Sequence, residues 1–367
     1  MSSIATVEHF HEQERLASER VRYAVEHGER LRIVGGDSRN FVGRSTETDE
    51  TISSLRFSGV LSYEPSELVL RVGAGTRIAD IQTVLAEQNQ CLAFEPHCLG
   101  DGASTIGGAI ASAMAGAARP WQGGVKDHVL GLGLINGKGD ILKFGGQVMK
   151  NVAGYDVSRA MVGSLGCMGL MTELSLKVLP VAAQQFFVQK PCGLQEALEL
   201  AAKLDAGMTM RNGFAWSEGM AHIRFAGPEE AVAEVFQGFA LDAHACKTDL
   251  LWDELSRMSH SIFAGDASMK LWRIVAPKYT DLSEVFLGKP LLMNWAGGEY
   301  FVRSSDEVMQ RIKDKLAALG AHAYSYHLDQ TYVLQGLSPA VERLHSALKQ
   351  AFDPNGVFNP GRMSEAF

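Results

Sequence analysis

The stretch from His97 to Pro180 constrains the fold more than any other part of the sequence. Between Gly100 and Gly169 it carries 17 of the chain's 38 glycines, without the Pro/Ser-rich composition of a linker. Foldable segments lie among the glycines: a small-residue helical run over 105–115 and apolar strand-like runs over 129–135 and 174–179. An interior glycine weakens a helix or strand by about 0.5–1 kcal/mol. Such density implies backbone that passes close to something large and flat, or that donates N–H groups to it. A bound dinucleotide meets both demands.

Composition bounds the rest. At 367 residues the chain exceeds the size at which one core stops growing, about 250–300 residues, so two domains are expected. A hydrophobic fraction of 46% and a charged fraction of 21% place it among ordinary soluble globular proteins. The net charge of −8 excludes the basic footprint of a nucleic-acid binder, and no basic stripe appears. Five cysteines (91, 98, 167, 192 and 246) form no C-x-x-C pair and are odd in number. Reduced thiols are expected, with neither a zinc nor an iron–sulfur site. The opening MSSIATVEHFHEQER is too polar for a secretory signal. No apolar run approaches the roughly 20 residues of a membrane span.

Hydrophobic periodicity predicts a helix over 7–26, stopped by Gly28, and a short buried strand over 31–34. That strand runs into Gly35-Gly36-Asp37-Ser38-Arg39-Asn40, which can curl its amides into an anion-binding nest. An ordinary tight turn is the plainer alternative. Strands over 51–57 and 68–72 follow, then Gly73-Ala74-Gly75-Thr76 and a helix over 77–89 capped by Thr76. Strand, G-x-G, helix imitates a dinucleotide-binding βαβ unit. However, Ile78 stands where the third glycine belongs, and the acidic residue expected after the next strand is missing. At 133–139 the sequence fails as a phosphate-binding P-loop because Leu132 replaces its first glycine. Asn136-Gly137 reads instead as a hairpin turn between strands over 131–135 and 140–144. Nicotinamide and nucleoside triphosphate are therefore disfavoured. Beyond Pro180, helices over 194–204, 228–239 and 306–319 alternate with strands over 221–225, 271–275, 291–295 and 331–334. That pattern predicts an α+β unit with an antiparallel sheet. A last helix over 339–352 leads into DPNGVFNPGR, an ordered turn segment.

In this order and spacing, IVGGDSRN, LVLRVGAGTRIADIQTVL, GASTIGGAIASAMAG, GYDVSRAMVGSLGCMGLMTELSLKVLP and FDPNGVFNP resemble one flavoprotein family. It is the vanillyl-alcohol oxidase, or p-cresol methylhydroxylase-type (PCMH-type), FAD-binding family, matched over roughly the first 180 residues and the tail. The words VMKNVAGYDVSRAMVGS, KLWRIVAP and LLMNWAGGEYFVR are similar to the accessory FAD-binding subunits of bacterial glycolate oxidase. The resemblance implies an α+β architecture in three parts. Residues 1–180 would form a two-subdomain PCMH-type FAD-binding domain. Residues 181–345 would form an α+β cap or partner-binding domain with an antiparallel sheet, and 346–367 a tail that packs back on the FAD domain.

The resemblance also implies site residues. Gly35, Gly36, Asp37, Ser38 and Arg39 would lie along the FAD pyrophosphate. Gly102, Ser104, Thr105, Ile106, Gly107 and Gly108 would wrap the pyrophosphate and the edge of the isoalloxazine. Gly116, Gly166 and Gly169 would border the cofactor, with Met171 or Thr172 near the adenine and Asn359 folding back near the flavin. Asp37 stands where some relatives carry a flavin-linking histidine, so FAD held non-covalently is implied. Its charge beside two phosphates would need Arg39 or solvent to offset it.

Oxidising a 2-hydroxy acid on a flavin also needs a cationic clamp for the carboxylate and a base for the hydroxyl proton. Relatives that act alone add a metal held by a histidine cluster. The 11 histidines here form no such cluster, so no metal is expected: His322 and His327 lie five apart, and His244 and His260 are isolated. His97 is the candidate for a catalytic group near the flavin, with a hydrogen-bonded supporting role as its alternative. Arg119, Arg273 and Arg303 are candidate anion binders, with ion pairing the plainer role. Trp121, Trp272, Trp295, Tyr300 and Phe301 read as core or interface, and Cys167 as an inert buried thiol.

The resemblance thus implies an FAD-binding subunit of a multi-subunit glycolate oxidase, which converts glycolate to glyoxylate. It would work beside a larger FAD-containing subunit that holds the main substrate site, and beside an iron–sulfur subunit. Its expected location is cytoplasmic, or at the inner membrane through the complex. Two alternatives stay open: a stand-alone FAD-dependent hydroxy-acid or alcohol dehydrogenase, and a non-catalytic assembly subunit that retains the flavoprotein fold.

Overall fold

A computed structural model describes residues 7–146, 156–207, 210–238, 244–246, 248–265, 269–326 and 338–364. The expected strand over 331–334, His327 and the sequence 147–155 lie outside the described residues. Contacts divide the chain into two compact units. The first holds Met1–Ala115, Gly123–Pro180 and Leu328–Phe367; the second holds Gly116–Gln122 and Val181–His327.

In the first unit, a helix over Val7–His27 turns Phe10, Ala17, Val21 and Ala24 inward against Leu31, Ile52, Phe57, Ile135 and Phe358. Each large apolar side chain buried there contributes about 1.5–3 kcal/mol. The opposite face is charged, with Arg15 bridging Glu12 and Glu19. The helix ends at Gly28, in the left-handed region at φ 68°, and the chain enters the strand Leu31–Val34. This strand pairs in parallel with Glu50–Ser53, and Leu31 also bridges to Phe358 of the C-terminal tail.

The second layer of the unit is a five-stranded sheet in the order Val60–Glu64, Val69–Gly73, Leu170–Lys177, Val129–Ile135, Ile141–Gly145. Every pairing in it is antiparallel. The G-x-G at Gly73 therefore follows a strand of an antiparallel sheet and belongs to no βαβ unit. Thr76 does not cap the next helix, which runs over Ile78–Ala86 with Arg77 at the cap position. Its hydroxyl donates instead to the carbonyl of Gly73 at 2.6 Å and so ties the turn. The hairpin at Asn136 forms, with Asn136 Oδ1 accepting the amides of Lys138 and Asp140. Gly139, at φ 79°, takes the left-handed position in it.

The second unit is built on an eight-stranded sheet, antiparallel at each described pairing. Helices Leu194–Ala206 and Asp306–Ala318 bury Leu198, Leu204, Met309 and Leu316 with sheet residues Phe214, Ile223, Tyr300 and Val302. Helix Leu250–Arg257 covers a second cluster with Trp252, Leu271, Leu292 and Phe301. Strands over Gln185–Pro191, Arg211–Ser217, Glu299–Ser304 and His322–Ser325 were not expected from sequence. Arg211–Ser217 is buried at six of its seven positions, so period-2 alternation does not reveal it.

Candidate functional site

Four segments of the first unit converge on one open cleft, whose empty space, open solvent included, is about 740 Å³. They are the end of the first strand with its loop (Arg32 to Asn40), the start of the small-residue helix, the turn and strand from Leu165 to Met171, and the tail at Asn359 and Arg362.

The loop comes first. Among the described residues, the backbone amides of Gly36, Asp37 and Ser38 donate to no other group of the chain. Three consecutive free amides beside a cleft form a nest that suits phosphate oxygens. Asp37 adopts φ 52°, a left-handed conformation that Asp tolerates better than most residues. Its carboxylate accepts from Arg32 Nη2 at 2.6 Å, both groups being partly exposed. Arg32, not Arg39, is therefore the cation that offsets Asp37. Arg39 points inward with only 7% of its surface exposed.

The helix Ile106–Ser112 lines the same cleft and starts against this loop, with Thr105 as its cap accepting from the amide of Gly108. Gly35, Gly36, Asp37, Ser38, Arg39, Thr105, Gly107, Gly108, Gly166, Gly169 and Asn359 all line the cleft. At Gly108 a Cβ would meet only Thr105 Oγ1 at 3.3 Å and Arg39 Nη1 at 3.9 Å, so the position is open to the cleft. The free amides, the open glycine and the buried cation of Arg39 fit a bulky, phosphate-bearing ligand.

Six expected residues lie elsewhere. Ser104, 1% exposed, stands behind the lining, where its hydroxyl binds Ser38, Arg39 and the Leu99 backbone. Ile106 is fully buried in the core, and Gly102, at φ 86°, shapes its loop without lining the cleft. Thr172 faces away from the cleft and donates to the buried Glu14 at 2.8 Å, leaving Leu170 and Met171 on the lining. Gly116 belongs to the second unit, where its carbonyl accepts from Trp295 Nε1 at 2.9 Å. His97 does not line the cleft either; its carbonyl oxygen takes Nη2 of Arg39 at 2.5 Å.

The tail holds the cleft together. Asn359 Oδ1 accepts the amide of Ile33 at 3.0 Å, and Asn359 Nδ2 donates to the carbonyl of Leu165 at 2.7 Å. One side chain thus ties the first strand to the Gly166 turn. Arg362, which the sequence did not single out, donates to the carbonyls of Asn40 and Val42 and fixes the far end of the loop. Cys167 lies fully buried beneath, its Sγ 3.5 Å from the carbonyl of Asn359. Burial pushes its thiol up to about 11. Native chain treated with iodoacetamide at pH 8 is expected to stay unmodified at Cys167 while the partly exposed Cys98 reacts. Peptide mass mapping checks this, and alkylation of Cys167 at the rate of Cys98 would contradict the packing.

In the second unit the arginines are engaged. Arg273 donates to Glu299 at 2.7 Å and stacks over Trp295, and Arg303 donates to the carbonyls of Ile262, Phe263 and Met269. Ser217 and His260 lie 3.2 Å apart, yet the ring's Nδ1 accepts the amide of Ile262. Nε2 of the neutral ring therefore carries the proton and donates to Ser217, the wrong polarity to activate a nucleophile. Among the described residues no group of three His, Cys, Asp or Glu could hold a metal ion, and no helix is long and apolar enough to cross a membrane.

Comparison with known proteins shows the family. Residues 10–145 match the FAD binding domain family. Over 345 residues, 94% of this chain and 95% of the relative, the sequence is 36% identical to glycolate oxidase subunit GlcE of Escherichia coli. The chain belongs to the GlcE family of glycolate oxidase subunits.

Other matches are partial or structural. Glycolate oxidase subunit GlcD of Bacillus subtilis is 31% identical over 147 residues, which span 40% of this GlcE-family chain and 31% of that relative. Alkyldihydroxyacetonephosphate synthase superposes with a TM-score of 0.68 at 16% identity, covering 94% of this chain and 74% of that one. The architecture of the GlcE-family chain is thus the expected α+β, PCMH-type flavoprotein fold.

Proposed function

We propose that this chain is the FAD-binding subunit of a multi-subunit glycolate oxidase, with the main substrate site in a larger flavin subunit and iron–sulfur clusters in a third. The end-to-end match to GlcE carries the reading. When bound, FAD supplies the two-electron acceptor chemistry of hydroxy-acid oxidation.

The chain's own residues bind and orient it. The amides of Gly36 to Ser38 receive phosphate oxygens, Gly108 leaves room for the cofactor body, and Asn359 keeps the walls in register. Among the described residues no histidine, cysteine or tyrosine lines the cleft, which favours non-covalent FAD. The engaged state of Arg273 and Arg303, and a cleft lining that does not include His97, support placing substrate oxidation on a partner.

The test is glycolate-dependent reduction of an artificial acceptor by the isolated FAD-loaded chain and by the complex reassembled with its larger flavin subunit. Turnover is expected only from the complex. An isolated chain that matches the complex rate would overturn the division of labour.

A further inference from the structure

Arg39 lines the cleft, and among the described residues no acidic neighbour balances its charge. Its Nη1 donates to Ser104 Oγ at 3.0 Å and its Nη2 to the carbonyl of His97, both uncharged acceptors. Its Nε is buried without a partner among the described residues. Burial pulls the guanidinium down to about 10, with Cys98 as the opposing influence and no carboxylate contributing. It stays charged at neutral pH all the same. A buried charge is retained where something neutralises it. Asp37, the nearby acid on the same loop, is already taken by Arg32, and Arg362 is occupied with the carbonyls of Asn40 and Val42. Among the described residues no carboxylate is left to neutralise Arg39, and it sits on a loop whose amides donate to no other group, so an anionic ligand would satisfy both.

We propose that the Arg39 guanidinium makes a charge-assisted contact with the diphosphate of the bound cofactor, and so makes the cleft select FAD over flavins that lack a diphosphate. This rests on the FAD reading above and goes beyond the backbone role of the loop. A bracing role, in which Arg39 only holds the loop through Ser104 and His97, is the competing account.

The two separate when binding is measured by quenching of flavin fluorescence with FAD, FMN and riboflavin as probes. The proteins are the apo forms of the wild type, Arg39→Lys and Arg39→Met. Loss of one charged hydrogen-bonding partner predicts an FAD Kd raised about 10–100-fold in Arg39→Met, with riboflavin changed by less than about 3-fold. Arg39→Lys, which keeps the charge, is expected to recover most of the FAD affinity. Salt should weaken FAD binding to the wild type and leave riboflavin binding unmoved, an arm that holds even if Arg39→Met fails to fold. Parallel loss of FAD and riboflavin, an unchanged FAD Kd in Arg39→Met, or equal salt responses of the two probes would each overturn the proposal. A wild type that binds no FAD would instead bring down the FAD reading itself, and this inference with it.

Discussion

Gly36→Ala is expected to abolish tight FAD binding, raising its Kd at least about 100-fold. A Cβ at Gly36 would overlap the backbone carbonyl oxygen of Ala103 and lie 3.2 Å from its Cβ. Backbone cannot swing aside as a side chain can, so the loop of Gly35 to Arg39 and the loop of Gly100 to Ser104 must separate. These loops are cross-linked by Ser38 to Ser104 at 3.0 Å and by Arg39 to Ser104. Separation displaces the free amides and the arginine together. Forced overpacking of this kind costs about 1–3 kcal/mol in stability, a smaller effect than the loss of binding. Gly102→Ala is the control: a Cβ there meets nothing within 4 Å, and only its φ of 86° is unfavourable. It is expected to lose about 1 kcal/mol and keep its flavin. Isothermal titration of both variants with FAD decides the matter, and a Gly36→Ala chain that binds like the wild type would contradict the cleft geometry.

The second large effect is expected at Lys349, on the last helix, far in sequence from every glycine loop. Its ammonium is almost wholly buried and donates to Asp353 Oδ2 at 2.7 Å, to the carbonyl of Cys167 at 2.7 Å and to that of Phe358 at 3.1 Å. Asp353 in turn accepts the amides of Val357 and Phe358. This polar knot sets the turn that presents Phe358 to the first strand and Asn359 to the cleft. Removing one member of a buried ion pair leaves its partner uncompensated and costs about 3–5 kcal/mol. Lys349→Met should therefore lower stability in urea by about that amount and weaken FAD binding through Asn359. Adding Asp353→Asn should restore part of the loss, because the buried charge is gone. Equal stability of Lys349→Met and wild type would show that the knot does not hold the tail.

The sequence revealed the loops that meet at the cleft because their demands are local. Gly-Gly before a hydroxyl residue, and Thr105 ahead of two glycines in a small-residue helix, state their backbone chemistry wherever they occur. The residues misplaced by sequence are those decided by long-range register. Arg39 is the natural neighbour to neutralise Asp37, yet the end of the first strand puts Arg32 on that side and turns Arg39 inward. Leu170 and Met171 both line the cleft while Thr172 turns to Glu14, a break in alternation beside the register shift between Leu132 and Leu134 that sequence periodicity does not mark. Arg362 acts on carbonyls 320 or more positions away, and no local pattern records that. In the second unit, buried positions along Arg211–Ser217 erase the alternation that would have marked a strand.

The most direct test of the account is the visible absorption spectrum of the purified chain, before and after denaturation, with FAD added if the chain emerges colourless. The account predicts a flavin spectrum on the folded protein, and free FAD released on denaturation with none left on the polypeptide. A folded chain that never takes up FAD would contradict it and leave a flavoprotein fold serving assembly alone.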